Sequence, residues 1–427
     1  LDVQVNSELP EKHKKQIEKL LEEYKEIFTD VPKVTNLGEH TIKLKSTEPV
    51  QCKPYPVPYH LRDVLDKEID NMLRLNIISP SQASYASPIV LVKKPDNSMR
   101  ICINYKLLNL ISEFDPEPIS VADDIFNQLG GSKVYSKFDL SKGYYQLPLN
   151  PESKDATTFV SHRGLFKFNV CPFGLASAPA SFTRLMRKLL ANSTGLDSYL
   201  DDVLAHTKTW EDHLAVLRDF FDRVKRANLS LRPSKCQIGF KAIGFLGNQV
   251  IEDMKTPSKD NLEKILNSTR PTNKTQVKSF LGLTGFFQVY VPNYSEITAP
   301  LTDLLKKNHP NKVIWGKSQE DSFQKLKAYL LGGPILKLPL WDQEFILRTD
   351  ASNYAIAGVL MQEHDGVLHP VAFASKKLSD REFLYPISEK EALSVVWSIQ
   401  RFTKFLYGKK FIVETDHKPL TILKLSD

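Results

Sequence analysis

The sequence predicts an α+β protein in which two regions of mixed strands and helices are separated by a run of helices. Three observations carry that reading. Up to about residue 250, β-branched and aromatic runs bounded by turn residues alternate with amphipathic helical stretches. Between Pro257 and Leu331 the pattern changes to consecutive helices with little strand, and past Gly332-Gly333-Pro334 short strands return. The length, 427 residues, suits roughly two to four domains.

Pro10 stands where a helix can begin, and Ile17, Leu20, Leu21, Tyr24, Ile27 and Phe28 fall on one helical face. After Pro32 the chain turns extended: Thr41 to Lys45 alternates as a strand, and Pro54, Pro56 and Pro58 force a stiff extended run. Leu61, Val64, Leu65, Ile69, Met72 and Leu73 mark a second helix, closed at Ser79-Pro80. Ile89 to Val92, then Lys93-Lys94 and the turn Pro95-Asp96-Asn97-Ser98, then Arg100 to Asn104, form a hairpin whose cationic tip suits polyphosphate oxygens and equally describes a solvated loop. Val134 to Phe138 is a strand ending in Asp139 and a short helical turn; Thr157 to Val160 pairs with Phe166 to Val170 around Arg163-Gly164. A helix opened by Pro179 runs through Leu190. Trp210 to Ala227 is a long amphipathic helix with Arg223, Lys225, Arg226, Arg232, Lys235 and Lys241 making a basic stretch beside it, and Phe245-Leu246-Gly247 closes the block.

The helical stretch divides at about 258–268, 275–289, 295–307 and 318–331. Lys259, Lys264, Arg270, Lys274 and Lys278 give its first two helices a positive face, the footprint expected for a nucleic-acid backbone as well as for a plain solvated surface. The last region reads as strands at 344–349, 355–362 and 368–374, a helix at 388–406 and a strand at 411–415.

Composition narrows the functional classes. The chain is 41% hydrophobic and 25% charged, ordinary for a folded protein, and its net charge of +7 inclines it toward polyanions. The four cysteines, Cys52, Cys102, Cys171 and Cys236, form no Cys-x-x-Cys pair, which argues against zinc knuckles and a disulfide framework. No apolar run approaches the roughly 18–20 residues that span a bilayer, and no signal-peptide pattern opens the chain, so no membrane partner and an intracellular setting are expected. Beginning at Leu1 and stopping at Asp427 after an apolar stretch, the chain reads as a piece of a longer polyprotein.

The chemistry concentrates at Tyr199-Leu-Asp-Asp-Val-Leu204, an apolar segment interrupted by two adjacent carboxylates with nothing nearby in the sequence to neutralise them. Strands at 196–199 and 203–205 would put Asp201 and Asp202 at a tight hairpin turn. Such neighbours raise each other's pKa unless a divalent cation holds both ionised; alone, the pair equally describes a solvated turn. Asp139 adds a third carboxylate at a strand end, and Asp350, Glu391 and Asp416 fall at two strand ends and a helix start of the last region, where they can converge on two Mg²⁺ ions.

In order along the chain stand Ser87-Pro-Ile-Val-Leu-Val-Lys-Lys94, Arg100-Ile-Cys-Ile-Asn-Tyr-Lys-Leu-Leu-Asn109, Phe138-Asp-Leu-Ser-Lys-Gly-Tyr-Tyr-Gln146, Pro172-Phe-Gly-Leu-Ala-Ser-Ala-Pro179, Tyr199-Leu-Asp-Asp202, Phe245-Leu-Gly247, Phe280-Leu-Gly-Leu-Thr-Gly285, Thr349-Asp-Ala-Ser352 and Thr415-Asp-His417. This ordered set resembles the reverse transcriptase and RNase H region of gypsy-type LTR retrotransposon Pol polyproteins over nearly the whole chain. The resemblance implies a right-hand polymerase of fingers, palm and thumb followed by a truncated RNase H-like domain. Its parts would be an N-terminal helical segment at 1–40, fingers and palm at 41–250, thumb and connector at 251–332, and the RNase H-like domain at 333–427. It implies Asp139, Asp201 and Asp202 as polymerase metal ligands and Asp350, Glu391 and Asp416 as RNase H ligands, with Mg²⁺ as cofactor and Mn²⁺ as an alternative. Lys93 and Arg100 would hold the incoming triphosphate, Tyr144 would exclude a ribose 2′-hydroxyl, Phe173 would belong to the nucleotide pocket, and Phe245 to Gly247 would support the primer end. The implied partners are an RNA or DNA template–primer duplex and dNTPs, with a homodimer among the working forms and protease and integrase as neighbours in the polyprotein, in a cytoplasmic particle or the nucleus.

The sequence departs from that pattern at several places. Asn104 and Lys106 stand where the family usually has Asp and Arg, Thr158 where it has a small Ala, and Cys171 where it has Met, while Phe286-Phe287-Gln288 replaces an aromatic pair followed by Arg. The chain also stops before the family's fourth RNase H carboxylate, so nuclease activity is expected to be absent or poor. Two readings remain open: a working RNA- and DNA-templated DNA polymerase, or an inactivated copy that keeps only nucleic-acid binding.

Overall fold

The computed structural model describes residues 2–93 and 99–422. The chain divides into two compact units, Leu1–Ile125 with Val134–Lys241, and Phe126–Lys133 with Ala242–Asp427.

In the first unit the strand Val134–Asp139 runs through the middle of a five-stranded sheet ordered Gln4–Val5, Gln237–Phe240, Val134–Asp139, Asp202–Thr207, Leu196–Tyr199. Successive side chains of a strand face opposite ways. Ser136 and Phe138 therefore turn to the helix Trp210–Arg226, where Ser136 Oγ lies 2.7 Å from His213 Nε2 and the Phe138 ring lies 5.0 Å from Phe220. Lys137 and Asp139 take the other face. The N-terminal helix, Glu11–Glu23, buries Ile17, Leu20 and Leu21 in the same core, and Tyr24 and Phe28 continue that stripe onto Phe221. A second five-stranded sheet is ordered Ile78–Pro80, Gly164–Phe168, Phe159–Ser161, Ser87–Lys93, Met99–Ile103.

The second unit opens with an antiparallel sheet of Ala242–Phe245, Asn248–Ile251, Met254–Pro257 and Leu336–Lys337. Helices Lys259–Leu266, Lys274–Gly285, Tyr294–Asp303 and Lys317–Leu331 pack around Phe280, Phe287, Leu301, Phe323 and Leu326. A final sheet, ordered Val367–Lys377, Ala355–His364, Phe345–Ala351, Phe411–Glu414, carries the helix Ile387–Arg401. The helix lies so close that a Cβ on Gly358 would come within 2.4 Å of Ser398 Oγ.

Several expectations change. Thr41 to Lys45 forms no strand, only single bridges at His40 and Leu44, because its neighbours are loops that offer no ladder. The second helix, Tyr59–Arg74, ends before a left-handed Asn76 rather than at Ser79-Pro80, which belongs to a strand. Phe245-Leu246-Gly247 is the end of a strand plus a two-residue hairpin turn with positive φ at Leu246 and Gly247. Lys94 and the 95–98 turn lie outside the described residues.

Candidate active site

The strands Leu196–Tyr199 and Asp202–Thr207 pair through Tyr199↔Asp202, leaving Leu200-Asp201 as a two-residue turn. Leu200 enters it at φ +52, a conformation that costs a branched residue about 1 kcal/mol or more and that clusters at functional sites. On the other side Asp202 is the cross-strand partner of Asp139, and Leu140 N–H donates to Asp201 O at 3.2 Å. Asp139, Asp201 and Asp202 thus lie together at one end of the sheet.

The segment after Asp139 is pinned from beneath. Arg232 N–H donates to Asp139 O at 2.8 Å and Ser141 N–H to Ser230 O at 3.1 Å. The fully buried Gln146 ties these chains together: its Nε2 donates to Ser141 O and Ser230 O, each at 2.9 Å, and its Oε1 accepts from Ser230 N–H at 2.7 Å. Gly143 passes directly under the hairpin, where a Cβ would stand 3.0 Å from Asp201 Cβ and 3.3 Å from Phe182 Cζ. Neither residue stands out in the sequence alone, although both lie in the run from Phe138 to Gln146.

Burial, and then the charges of Asp202 and Asp139, raise the Asp201 carboxyl above its ordinary range. Burial also raises Asp202, with Asp139 adding to the shift and Lys137 opposing it. Two lysines distant in the sequence from the Asp201-Asp202 pair stand beside the carboxylates: Lys137 Nζ lies 3.4 Å from Asp202 Oδ1, and Lys235 Nζ 3.3 Å from Asp139 Oδ2. Sequence inspection misses Lys137 because its reach depends on strand pairing. No three His, Cys, Asp or Glu side chains among the described residues converge as a ready metal cage.

Beside the hairpin opens a cleft of about 960 Å³ whose lining includes Asp139, Asp201, Gly143 and Phe173. Arg100, Lys142, Arg232 and Lys235 give it a cationic wall; of these, the family resemblance assigns only Arg100 to the site. The Arg100 guanidinium sits 5.3 Å from the Phe173 ring centre, and Tyr144 packs edge-on between Phe173 at 5.3 Å and Phe182 at 5.4 Å. Burial, then the Asp201 charge, pushes the Tyr144 phenol up to about 12, so it stays neutral. Lys93 is exposed at the end of its strand and is not part of the cleft lining.

The departures from the family pattern have local accommodations. Asn104 Oδ1 accepts from Lys106 N–H at 3.1 Å, closing a local turn. Thr158 is buried with its hydroxyl donating to Asp155 O at 2.7 Å and 2.8 Å from Ser81 Oγ. Cys171 is buried, and that burial raises its thiol pKa.

In the second unit Asp350 lies in the strand Phe345–Ala351, Glu391 in the helix Ile387–Arg401 and Asp416 just after the strand Phe411–Glu414. Glu391 is 5% exposed, and burial, then the charges of Asp416 and Asp350, lift its carboxyl to about 7. Of the seven buried polar side-chain atoms that lack a partner among the described residues, four belong to Thr349, Glu391, Ser398 and His417. Glu391 Oε2 is thus a buried carboxylate oxygen without a hydrogen-bond partner among the described residues, beside the charges of Asp416 and Asp350.

Residues 92–250 match the family described as reverse transcriptase (RNA-dependent DNA polymerase), and residues 315–413 match the RNase H-like domain found in reverse transcriptase. Over 90% of its length the chain is 35% identical to the retrovirus-related Pol polyprotein from transposon 297 of Drosophila melanogaster. Residues 92–250 thus belong to the reverse transcriptase family, and the chain is similar to retrovirus-related Pol polyproteins. It is also 31% identical over 98% of its length to the Pol polyprotein from transposon 412 of the same fly, and 29% identical over 93% to the transposon Tf2-3 polyprotein of Schizosaccharomyces pombe. It spans 37%, 35% and 31% of those relatives, about a third of each. The α+β fold is shared with solved reverse transcriptases. A foamy viral protease–reverse transcriptase in complex with double-stranded DNA superposes with a TM-score of 0.90 at 23% identity, over 98% of this chain and 75% of that one. The foamy viral enzyme in complex with an RNA/DNA hybrid superposes at 0.83, with 23% identity, over 96% and 56%. No helix among the described residues is long and apolar enough to cross a membrane.

Proposed function

We propose that this reverse transcriptase chain extends a primer on RNA and DNA templates, joining deoxynucleoside triphosphates with release of pyrophosphate. The observation that carries the reading is the Asp139↔Asp202 pairing with Asp201 in the adjoining turn, beside a cationic cleft. The donor set suits Mg²⁺, or Mn²⁺, because carboxylate oxygens are hard ligands that such cations share with substrate phosphates. Asp139, Asp201 and Asp202 would hold it. When bound, divalent cations polarise the primer 3′-hydroxyl and neutralise the triphosphate.

The chain's own groups then position charge. Arg100, with Lys93 beyond the cleft lining, receives triphosphate oxygens, and guanidinium suits them by its planar fork. Phe173 walls the nucleotide site, and the neutral Tyr144 edge crowds a ribose 2′-hydroxyl. Residues 41–250 would serve as fingers and palm, Phe245 to Gly247 as primer support, and the Lys-rich helices within 251–332 as the thumb that holds duplex phosphates. Residues 333–427 would form the RNase H domain, with Asp350, Glu391 and Asp416 as metal ligands; the buried Glu391 Oε2, without a hydrogen-bond partner among the described residues, is an oxygen suited to such a role. Working as a homodimer, beside protease and integrase in a longer polyprotein, and inside a cytoplasmic particle or the nucleus, belongs to the same proposal.

Oligo(dT) extension on poly(rA) with Mg²⁺ tests it. Incorporation that Asp201→Asn abolishes supports the polymerase. Tight duplex binding without incorporation, restored by Asn104→Asp, would favour the inactivated binding module.

A further inference from the structure

We infer that Lys137 is a resident counter-ion for Asp202, one that any divalent cation must displace, so that it sets the cation concentration at which the carboxylate site fills. The inference rests on reading Asp139, Asp201 and Asp202 as cation ligands. Lys137 shares its strand face with Asp139, two residues on. Across the ladder Asp139 opposes Asp202 and Lys137 opposes Leu204, which leaves Lys137 diagonal to Asp202, within reach of a long side chain. Its Nζ lies 3.4 Å from Asp202 Oδ1, with the two side chains only 23% and 26% exposed.

Lys235, the other ammonium at the site, differs in kind. It reaches Asp139 from the short turn Pro233–Lys235 and is 54% exposed, free to swing into water. Lys137 stands on the central strand of the sheet, its backbone paired with Gln237 on one side and Leu204 on the other, and its side chain is less than half as exposed. A tethered ammonium there has two consequences. It offsets the repulsion of adjacent aspartates when no cation is present, and it competes with an arriving cation for the same oxygen. A bare cation therefore binds weakly. One that arrives with a polyphosphate meets less opposition, because phosphate oxygens can take over the released ammonium. Cation loading is thereby coupled to nucleotide arrival.

The test is Mn²⁺ binding to the full chain without nucleotide or nucleic acid, read from the electron paramagnetic resonance signal of free Mn²⁺. Lys137→Met, which keeps length and removes charge, should lower the dissociation constant about fivefold, the scale of a partly exposed ion pair. Lys137→Gln, run beside it, should act alike, and Lys137→Arg should bind as the parent does; circular dichroism melts show which variants are folded. With Asp202→Asn in place, Lys137→Met should have no further effect. If Asp202→Asn weakens Mn²⁺ binding while neither neutral Lys137 variant tightens it, or if Lys137→Arg tightens it equally, the counter-ion role is overturned and the carboxylate site stands. If neither Asp139→Asn nor Asp202→Asn alters Mn²⁺ binding, both fall together.

Discussion

Glu391→Gln should stabilise the second unit at alkaline pH and leave it unchanged in acid. Glu391 is 5% exposed, and its carboxyl is lifted from 4.5 to about 7 by burial and by Asp416 and Asp350. Below pH 4.5 the group is protonated whether the chain is folded or not, and it contributes nothing to pH dependence. As pH rises from there through about 7, the unfolded chain ionises first and stability is lost; above 7 the loss is constant. At about 1.4 kcal/mol per pH unit, the shift from 4.5 to about 7 sets an upper bound of roughly 3–4 kcal/mol. Gln keeps the shape and an acceptor oxygen for Ala351 N–H, and it removes the charge. Differential scanning calorimetry of the full chain at pH 5 and pH 8 reads the difference: the variant's transition should rise by roughly 5–10 °C at pH 8 and by much less at pH 5. Added Mg²⁺ should raise the parent's transition and not the variant's. A variant no more stable than the parent at pH 8, or equally stabilised at both pH values, would refute a charge held there at a cost.

Three further outcomes concern the first unit. Asp201→Asn should lower incorporation at least about 100-fold while leaving template–primer affinity equal or tighter, measured by primer extension and fluorescence anisotropy, since it removes a ligand and a negative charge together. Gly143→Ala, whose Cβ would stand 3.0 Å from Asp201 Cβ, should shift that side chain and cut incorporation roughly tenfold or more with little change in melting temperature; an unaffected rate would mean the hairpin has slack there. Tyr144→Ala should admit ribonucleotides in single-nucleotide insertion assays, and continued strict discrimination would place the gate elsewhere.

Local patterns in a sequence encode burial and residue type, and the elements that depend on those two are the legible ones. Helical stripes such as Ile17, Leu20 and Leu21, and strands such as Val134–Asp139, are readable because burial repeats at the element's own period. The Asp201 turn is readable from two carboxylates interrupting an apolar run. Strands held mainly by partners are not: Gln4–Val5 is two residues long and exists only through its parallel pairing with Gln237–Phe240. Thr41 to Lys45 shows the converse, an alternating pattern without a neighbour to complete it. In the site, residue types announce Asp139, Asp201 and Asp202. Lys137 against Asp202, Gln146 across Ser141 and Ser230, and Gly143 beneath Asp201 depend on register and close approach, which no local pattern displays.

The central claim, that three separated carboxylates act as one catalytic centre, is tested most directly by Mg²⁺-dependent oligo(dT) extension on poly(rA) with Asp139→Asn, Asp201→Asn and Asp202→Asn measured side by side. The parent chain should extend the primer, and each substitution should abolish extension while the duplex still binds. Retention of the parent's rate by any one of the three would contradict the shared centre.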